Sequence, residues 1–185
     1  MTPFHIACEK GHFRIAEFIM KSCIENFFLY LALNAKDFSG KTGYHYACES
    51  GHVKIVELLI KNSVECNINL NAKDREGYTG FHYACMRGYV KIVELLIKKS
   101  VECNINLNAK DDRQYFGETG FHYACKSGHV KIVRILIKNS VEFNIDLNAK
   151  SSIGKTGYAY SRGQVKKLIR NNSAQFNIDL NWHWN

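Results

Sequence analysis

The sequence has no apolar run approaching the roughly 18 residues needed to cross a bilayer, so no membrane-spanning segment is expected. Its amino terminus lacks the charged-then-apolar pattern of a secretion signal. The expectation is a soluble chain of the cytoplasm, with the nucleus also open to it. On that ground the sequon at Asn171, Asn172 and Ser173 is read as chance. Proline is nearly missing: Pro3 is the single one in 185 residues. No serine, histidine and acid fall into a nucleophile arrangement, and a non-catalytic chain is expected. Gly40-Lys41-Thr42 and Gly154-Lys155-Thr156 look like the end of a phosphate-binding loop. Ala35 and Ala149 stand where that loop needs its first glycine, which removes the reading.

What the chain has in abundance is one unit, written five times. TPFHIACEKGHFRIAEFIMKS opens at Thr2, and close copies follow from Thr42, Thr79 and Thr119. A shortened copy, TGYAYSRGQVKKLIRNNS, starts at Thr156. A period near 40 residues signals a stacked array whose units bury their surface against neighbours. The chain reads as a single domain, 1–185, with units at about 1–33, 34–70, 71–107, 108–147 and 148–185.

The cysteines follow the same period. Cys8, Cys48, Cys85 and Cys125 share one position; Cys66 and Cys103 share another, filled later by Phe143 and Phe176. A site that accepts Cys or Phe asks for an apolar filler. Equivalent cysteines in stacked helices lie about 8–10 Å apart, too far for disulfides, so reduced thiols are expected. The formal charge of +8 is concentrated late: residues 126–185 hold 10 Lys/Arg against 3 Asp/Glu.

Within a unit, Thr79 is a suitable N-cap and His82 stands where a capping-box partner reaches back. A short helix over Gly80 to Arg87 is predicted, stopped by Gly88. A second helix starts near Val90, with an apolar stripe of Val90, Ile92, Val93, Leu95, Leu96 and Ile97 too wide for a free surface helix. Ser100 to Asn108 alternates apolar residues at Val101, Cys103, Ile105 and Leu107. Ala109 to Glu118 is polar and reads as a projecting loop or hairpin.

These residues resemble the ankyrin repeat: a polar finger, then Thr-Pro-Leu-His, Ala-Ala, Gly-His and an Ile-Val-x-Leu-Leu helix. Thr42, His45, Ala47, Gly51, His52, Ile55, Val56, Leu58 and Leu59 fall on family positions, and the match runs along essentially the whole chain. The resemblance implies an all-α fold, an ankyrin-repeat solenoid of stacked helix-turn-helix units with finger loops or β-hairpins. It further implies a non-catalytic scaffold that binds another protein through its concave face and fingers. No cofactor, metal or membrane contact is expected, and the chain is expected to be monomeric.

Position by position, the implied partner-binding residues on the fingers are Phe38, Lys41, Arg75, Tyr78, Arg113, Tyr115, Phe116 and Lys155. On the first helices they are Glu49, Met86, Arg87 and Lys126. Tyr115 and Phe116 lie in a three-residue insertion, DDRQYFGE; folding back onto a neighbour and forming a contact tip are both open.

Other departures carry expectations of their own. Gly43, Gly80, Gly120 and Gly157 replace the family proline and are expected to loosen each helix start. Phe81, Phe121 and Tyr44 replace the family leucine in the core. Tyr46, Tyr83 and Tyr123 are expected to be half-buried with exposed hydroxyls. Each full unit is about four residues longer than the usual roughly 33, the excess lying after the second helix, where Asn62 or Asn139 is expected in the left-handed conformation. Cys23 to Leu33 is an aromatic insertion. Repeat one begins at its cap, so a fragment of a longer chain is one reading. Lys166, Lys167, Arg170, Asn171 and Asn172 suit a terminal cap, with Trp182 and Trp184 covering the open end.

Two alternative functions come from the residues themselves. The basic carboxyl-terminal third could bind anions or nucleic acid, although aromatic platforms for bases are not evident there. The repeated His-x-x-Cys could hold a metal, but a structural zinc wants four ligands and each helix offers two. The plainer reading gives the His to the cap and the Cys to the core.

Overall fold

The computed structural model describes residues 1–25, 32–114 and 116–181. Five helix pairs follow one another: α1 (Pro3–Lys10) with α2 (Phe13–Glu25), α3 (Gly43–Ser50) with α4 (Val53–Lys61), and α5 (Gly80–Arg87) with α6 (Val90–Lys99). The last are α7 (Gly120–Lys126) with α8 (Val130–Lys138) and α9 (Gly157–Tyr160) with α10 (Gly163–Asn172). The first helices stack in the order α1, α3, α5, α7, α9, and the second helices in the order α2, α4, α6, α8, α10. Among the described residues there is no strand, so the fingers are turns rather than β-hairpins.

The helix starts are as the sequence predicts, and they do more than start helices. In repeats one to four the Thr backbone N–H donates to Nδ1 of the histidine three residues on, at 3.0–3.2 Å. Because Nδ1 accepts, Nε2 carries the ring hydrogen and donates. Its acceptor is a carbonyl of the next repeat: Lys41 for His5, Tyr78 for His45, Glu118 for His82 and Lys155 for His122, at 3.0–3.1 Å. One imidazole thus caps its own helix and fastens the following finger.

The glycines after each threonine have a reason that the single unit conceals. A Cβ on Gly80 would stand 2.5 Å from the Tyr44 ring, and one on Gly120 would stand 2.6 Å from Phe81. Gly43 and Gly157 meet Phe4 and Phe121 in the same way. The large ring of one repeat occupies the volume that a side chain at the next helix start would need. The expected loosening is therefore replaced by close packing.

The extra residues after the second helix build a second connection. Asn62 and Asn139 are not left-handed; Asn67, Asn104, Asn144 and Asn177 are, at φ 44–50°, a region that Asn tolerates. Their carbonyls accept from the Nδ2 groups of Asn34, Asn71, Asn108 and Asn148, each in the connection that follows the preceding helix pair, at 2.7–2.8 Å. The Oδ1 atoms of the same four residues accept from the backbone N–H two residues further on, at 2.8–3.0 Å. The alternation read over 100–108 holds for Ile105 and Leu107, which are buried, whereas Val101 is exposed.

Two outcomes follow. Gly120→Ala, which would favour an isolated helix by up to about 1 kcal/mol, should instead destabilise by about 1–3 kcal/mol through overpacking. In a Phe81→Leu background that penalty should vanish, giving a coupling energy in a urea double-mutant cycle. Burial lowers the pKa values of His45, His82 and His122 from the ordinary 6.5, His82 to about 4. The unfolded chain therefore takes up protons that the folded chain refuses. The stability from these neutral rings is full above pH 6.5 and is lost as the pH falls toward 4. The urea midpoint should drop between pH 7.5 and about 5.

Candidate partner-binding surface

The fingers of repeats two to four are each organised by one aspartate, and that of repeat five by Ser151, whose Oγ accepts from the Lys155 backbone N–H at 3.1 Å. Oδ1 of Asp37 accepts from the backbone N–H groups of Ser39 and Lys41, both at 2.9 Å, and Oδ1 of Asp74 accepts from Glu76 and Tyr78 at 3.0 and 2.9 Å. The other carboxylate oxygen reaches the first helix of its own repeat. It accepts from the Tyr46 hydroxyl at 2.5 Å, from Tyr83 at 2.6 Å in the next repeat and from Tyr123 to Asp111 at 2.5 Å in the one after. The expectation of exposed hydroxyls is corrected here: these oxygens latch the finger onto the helix. Burial, with the aspartate hydrogen bond added, raises the pKa of each of the three phenols, so all three donate at neutral pH. Adjacent fingers are joined along the backbone, from Arg75 to Ser39, Asp112 to Glu76 and Ser152 to Phe116, at 2.8–3.0 Å.

On this frame the twelve implied contact residues take different places. Phe38 and Arg75 are exposed on the fingers. Lys41 Nζ donates to Glu49 at 2.6 Å and lies 4.6 Å from the Tyr83 ring centre. The second oxygen of Glu49 accepts from Arg87 of repeat three at 2.8 Å. Burial alone would raise the Glu49 pKa, but the two cations outweigh it and lower it. Met86 is half-buried against the core, and its carbonyl accepts from His129 at 2.9 Å. Tyr78 is half-buried with its ring 5.5 Å from both Tyr83 and Tyr123. Lys155 lies 5.5 Å from the Tyr160 ring. Tyr115 is outside the described residues.

Repeat four is different, and the insertion is the cause. Arg113 stacks on Phe116 at 4.1 Å and lies 5.3 Å from Tyr78, distances at which a guanidinium is attracted to ring faces. It also donates to the Tyr123 hydroxyl and to Glu118, the latter at 3.4 Å, and sits 3.6 Å from Asp111. Lys126 reaches Glu118 at 3.3 Å and lies 5.3 Å from Phe116 and 5.2 Å from Tyr160. The side chains of Glu118 and Asp111 are fully buried. Phe116 therefore folds back over Arg113. Asp111, Glu118 and Tyr160 are members of this cluster that sequence reasoning did not single out, and Tyr123 was expected only as a packing residue. The available signal was Glu118 itself, an acid where the other repeats carry Lys41, Tyr78 and Lys155.

The His-x-x-Cys pairs are engaged elsewhere: both ring nitrogens of each His are hydrogen bonded, and each Cys is in the core. Burial pushes the Cys8 thiol up to about 12, against the thiolate that a metal needs. No group of three or more His, Cys, Asp or Glu converges among the described residues. None of the described helices is long and apolar enough to cross a membrane.

A family model described as ankyrin repeats, in three copies, matches residues 1–72, 25–111, 64–151 and 101–179. The chain belongs to the ankyrin-repeat family. No curated protein matched it. Ankyrin repeats are in general protein–protein interaction modules without catalytic activity.

In this ankyrin stack Arg113 and Arg87 differ sharply in what they hold. Arg113→Ala strips a cation from two buried carboxylates and should cost about 3 kcal/mol. Arg87→Ala removes a half-exposed cation from Glu49, which keeps Lys41, and should change stability by less than about 1 kcal/mol. Chemical denaturation of the two variants checks the contrast.

Proposed function

We propose that this ankyrin-repeat chain binds a partner protein through the face made by its fingers and first helices, as a non-catalytic scaffold. The observation that carries the reading is a continuous run of aromatic rings and charged heads across repeats two to five. It passes from Lys41, Glu49 and Arg87 through Tyr78 to Arg113, Phe116, Lys126 and Lys155. Arginine and aromatic side chains dominate binding energy at protein interfaces. Here they are held by neighbours before a partner arrives, which keeps the ordering cost of association low. Phe38, exposed on the finger of repeat two, and Phe116 are the proposed apolar anchors. Lys41, Arg87 and Lys126 are the proposed polar rim.

The test is affinity capture from lysate with the intact chain and with a Phe38→Ala/Phe116→Ala variant. A third bait, Lys54→Ala, alters a second helix instead. Proteins held by the first and third baits but lost from the double variant, with unchanged circular dichroism, are the expected result. Equal recovery on all three baits would remove the reading. The loss at each anchor should exceed about tenfold, as for interface hot spots.

A further inference from the structure

The second helices repeat a surface pattern as well as a core. The exposed residues of α4 are Lys54, Glu57 and Lys61, and those of α6 up to Lys98 are Lys91, Glu94 and Lys98. Each acid stands three residues after one cation and four before the next, positions at which opposite charges attract on a helix. On α8 the same three positions are Lys131, Arg134 and Lys138. The acid has become a cation, and like charges at these spacings oppose the helix that carries them. On α10 the counterpart of Arg134 is Lys167, beside exposed Gln164 and Asn171. Neither α8 nor α10 contains an Asp or Glu.

These cations are not used by the fold. Lys126 is held by Glu118 and Arg170 by the Tyr158 hydroxyl. Among the described residues, Lys131, Arg134, Lys138 and Lys167 form no ion pair and no side-chain hydrogen bond. Glu94 and Glu142 line the groove between α6 and α8 together with Lys138, so Lys131, Arg134 and Lys167 are the uncompensated set. A second groove, of about 340 Å³, runs between α8 and α10 and is lined by Arg134, Lys167, Gln164 and Asn171, with Val130 and Leu168.

We infer that the outer face of α8 and α10 binds the phosphate backbone of a nucleic-acid duplex. Its cations stand in two rows, on helices packed about 8–10 Å apart, between the roughly 6 Å and 12 Å widths of the duplex grooves. Two rows of cations match two phosphate strands, whereas an acidic helix presents one row of carboxylates. Gln164 and Asn171 add neutral donors of the kind that bind phosphate oxygens. No large apolar residue is exposed on α8 or α10. The face therefore has nothing to insert into a lipid surface and no ring on which an unpaired base could stack. The contact is electrostatic, indifferent to base sequence and steeply dependent on salt. It uses the second helices and does not depend on the partner-binding reading of the fingers.

Fluorescence anisotropy of a labelled, random-sequence DNA duplex, titrated with the intact chain at about 50 and 200 mM salt, reads the outcome. Three phosphate contacts give a log–log salt slope of about −2.7, or about a fortyfold loss of affinity across that range. Arg134→Glu rebuilds the charge pattern on which α4 and α6 already fold. Its circular dichroism should match the parent while its affinity falls about tenfold or more at the lower salt. Lys54→Glu, the same change in net charge placed on α4, should bind within about twofold of the parent. Glu94→Arg extends the cation rows onto α6 and should tighten binding. Absence of binding at the lower salt would overturn the inference, and so would equal losses in Arg134→Glu and Lys54→Glu, which report net charge alone. Poly-glutamate or phosphatidylserine vesicles that compete as well as unlabelled duplex, charge for charge, would also overturn it and give the face to an acidic protein or a membrane. The Phe38→Ala/Phe116→Ala variant should bind duplex as the parent does, which separates this result from the partner-binding test.

Discussion

One neutral imidazole at each junction governs how the repeats lie on one another. Its Nδ1 is fixed by the helix cap and its Nε2 by a carbonyl of the next repeat, so a rigid ring spans the two. Losing either bond would leave a buried polar group unsatisfied, at a cost of about 1–3 kcal/mol. The same ring is used four times with nearly the same distances. The spacing between successive helix starts is therefore copied from junction to junction. The Asn34, Asn71, Asn108 and Asn148 amides do the equivalent work at the other edge of the stack. Each donates to the carbonyl of a left-handed Asn in the connection after the following helix pair and accepts from the backbone N–H two residues beyond it. Together the two series hold each repeat at two separated places, which resists hinging.

Between these edges the core is fitted by exchange of volume. An aromatic ring replaces a leucine, and the side chain that would collide with it one repeat later is absent. Phe4 with Gly43, Tyr44 with Gly80, Phe81 with Gly120 and Phe121 with Gly157 are four instances of one trade. Neither half makes sense alone: glycine at a helix start is a weakness, and an oversized ring in a close-packed core is a strain. The buried cysteine one turn after each ring fills the remaining space against the same glycine, which accounts for its small, apolar character at that position.

Local features were legible in the sequence because their causes are local. Helices at Gly80–Arg87 and from Val90, the threonine caps, the histidine partners and the buried stripe follow from neighbours within four residues. What could not be read were contacts between residues about one repeat apart, from 29 positions upward. The second hydrogen bond of each histidine, the reason for the glycines and the asparagine series all belong to that class. Helix ends favour a left-handed residue, which points to Asn62 or Asn139. The chain instead turns at Asn67, where Asn34 supplies a partner for the exposed carbonyl. The site was half legible for the same reason. Exposed Phe38 and Arg75 follow from the finger register, whereas buried Glu118 and the return of Phe116 onto Arg113 depend on contacts between repeats three, four and five.

The division of labour between main chain and side chain explains why the finger face can serve recognition. The residue before each threonine is Lys41, Tyr78, Glu118 or Lys155, yet its carbonyl always receives the histidine of the preceding repeat. The residue after each core cysteine is Glu9, Glu49, Met86 or Lys126; the carbonyls of Glu9 and Met86 accept from His52 and His129. At both positions the stack uses a backbone oxygen that any residue supplies. The junction asks for no particular side chain there, so charge and size differ from repeat to repeat, from paired Glu49 to buried Glu118. The invariant residues of the unit point into junctions, and the variable ones stand together on the fingers and first helices. A surface that varies on a frame that does not is what selective binding requires: the frame limits the entropy lost on association, and the variation supplies the differences in affinity from which specificity is made.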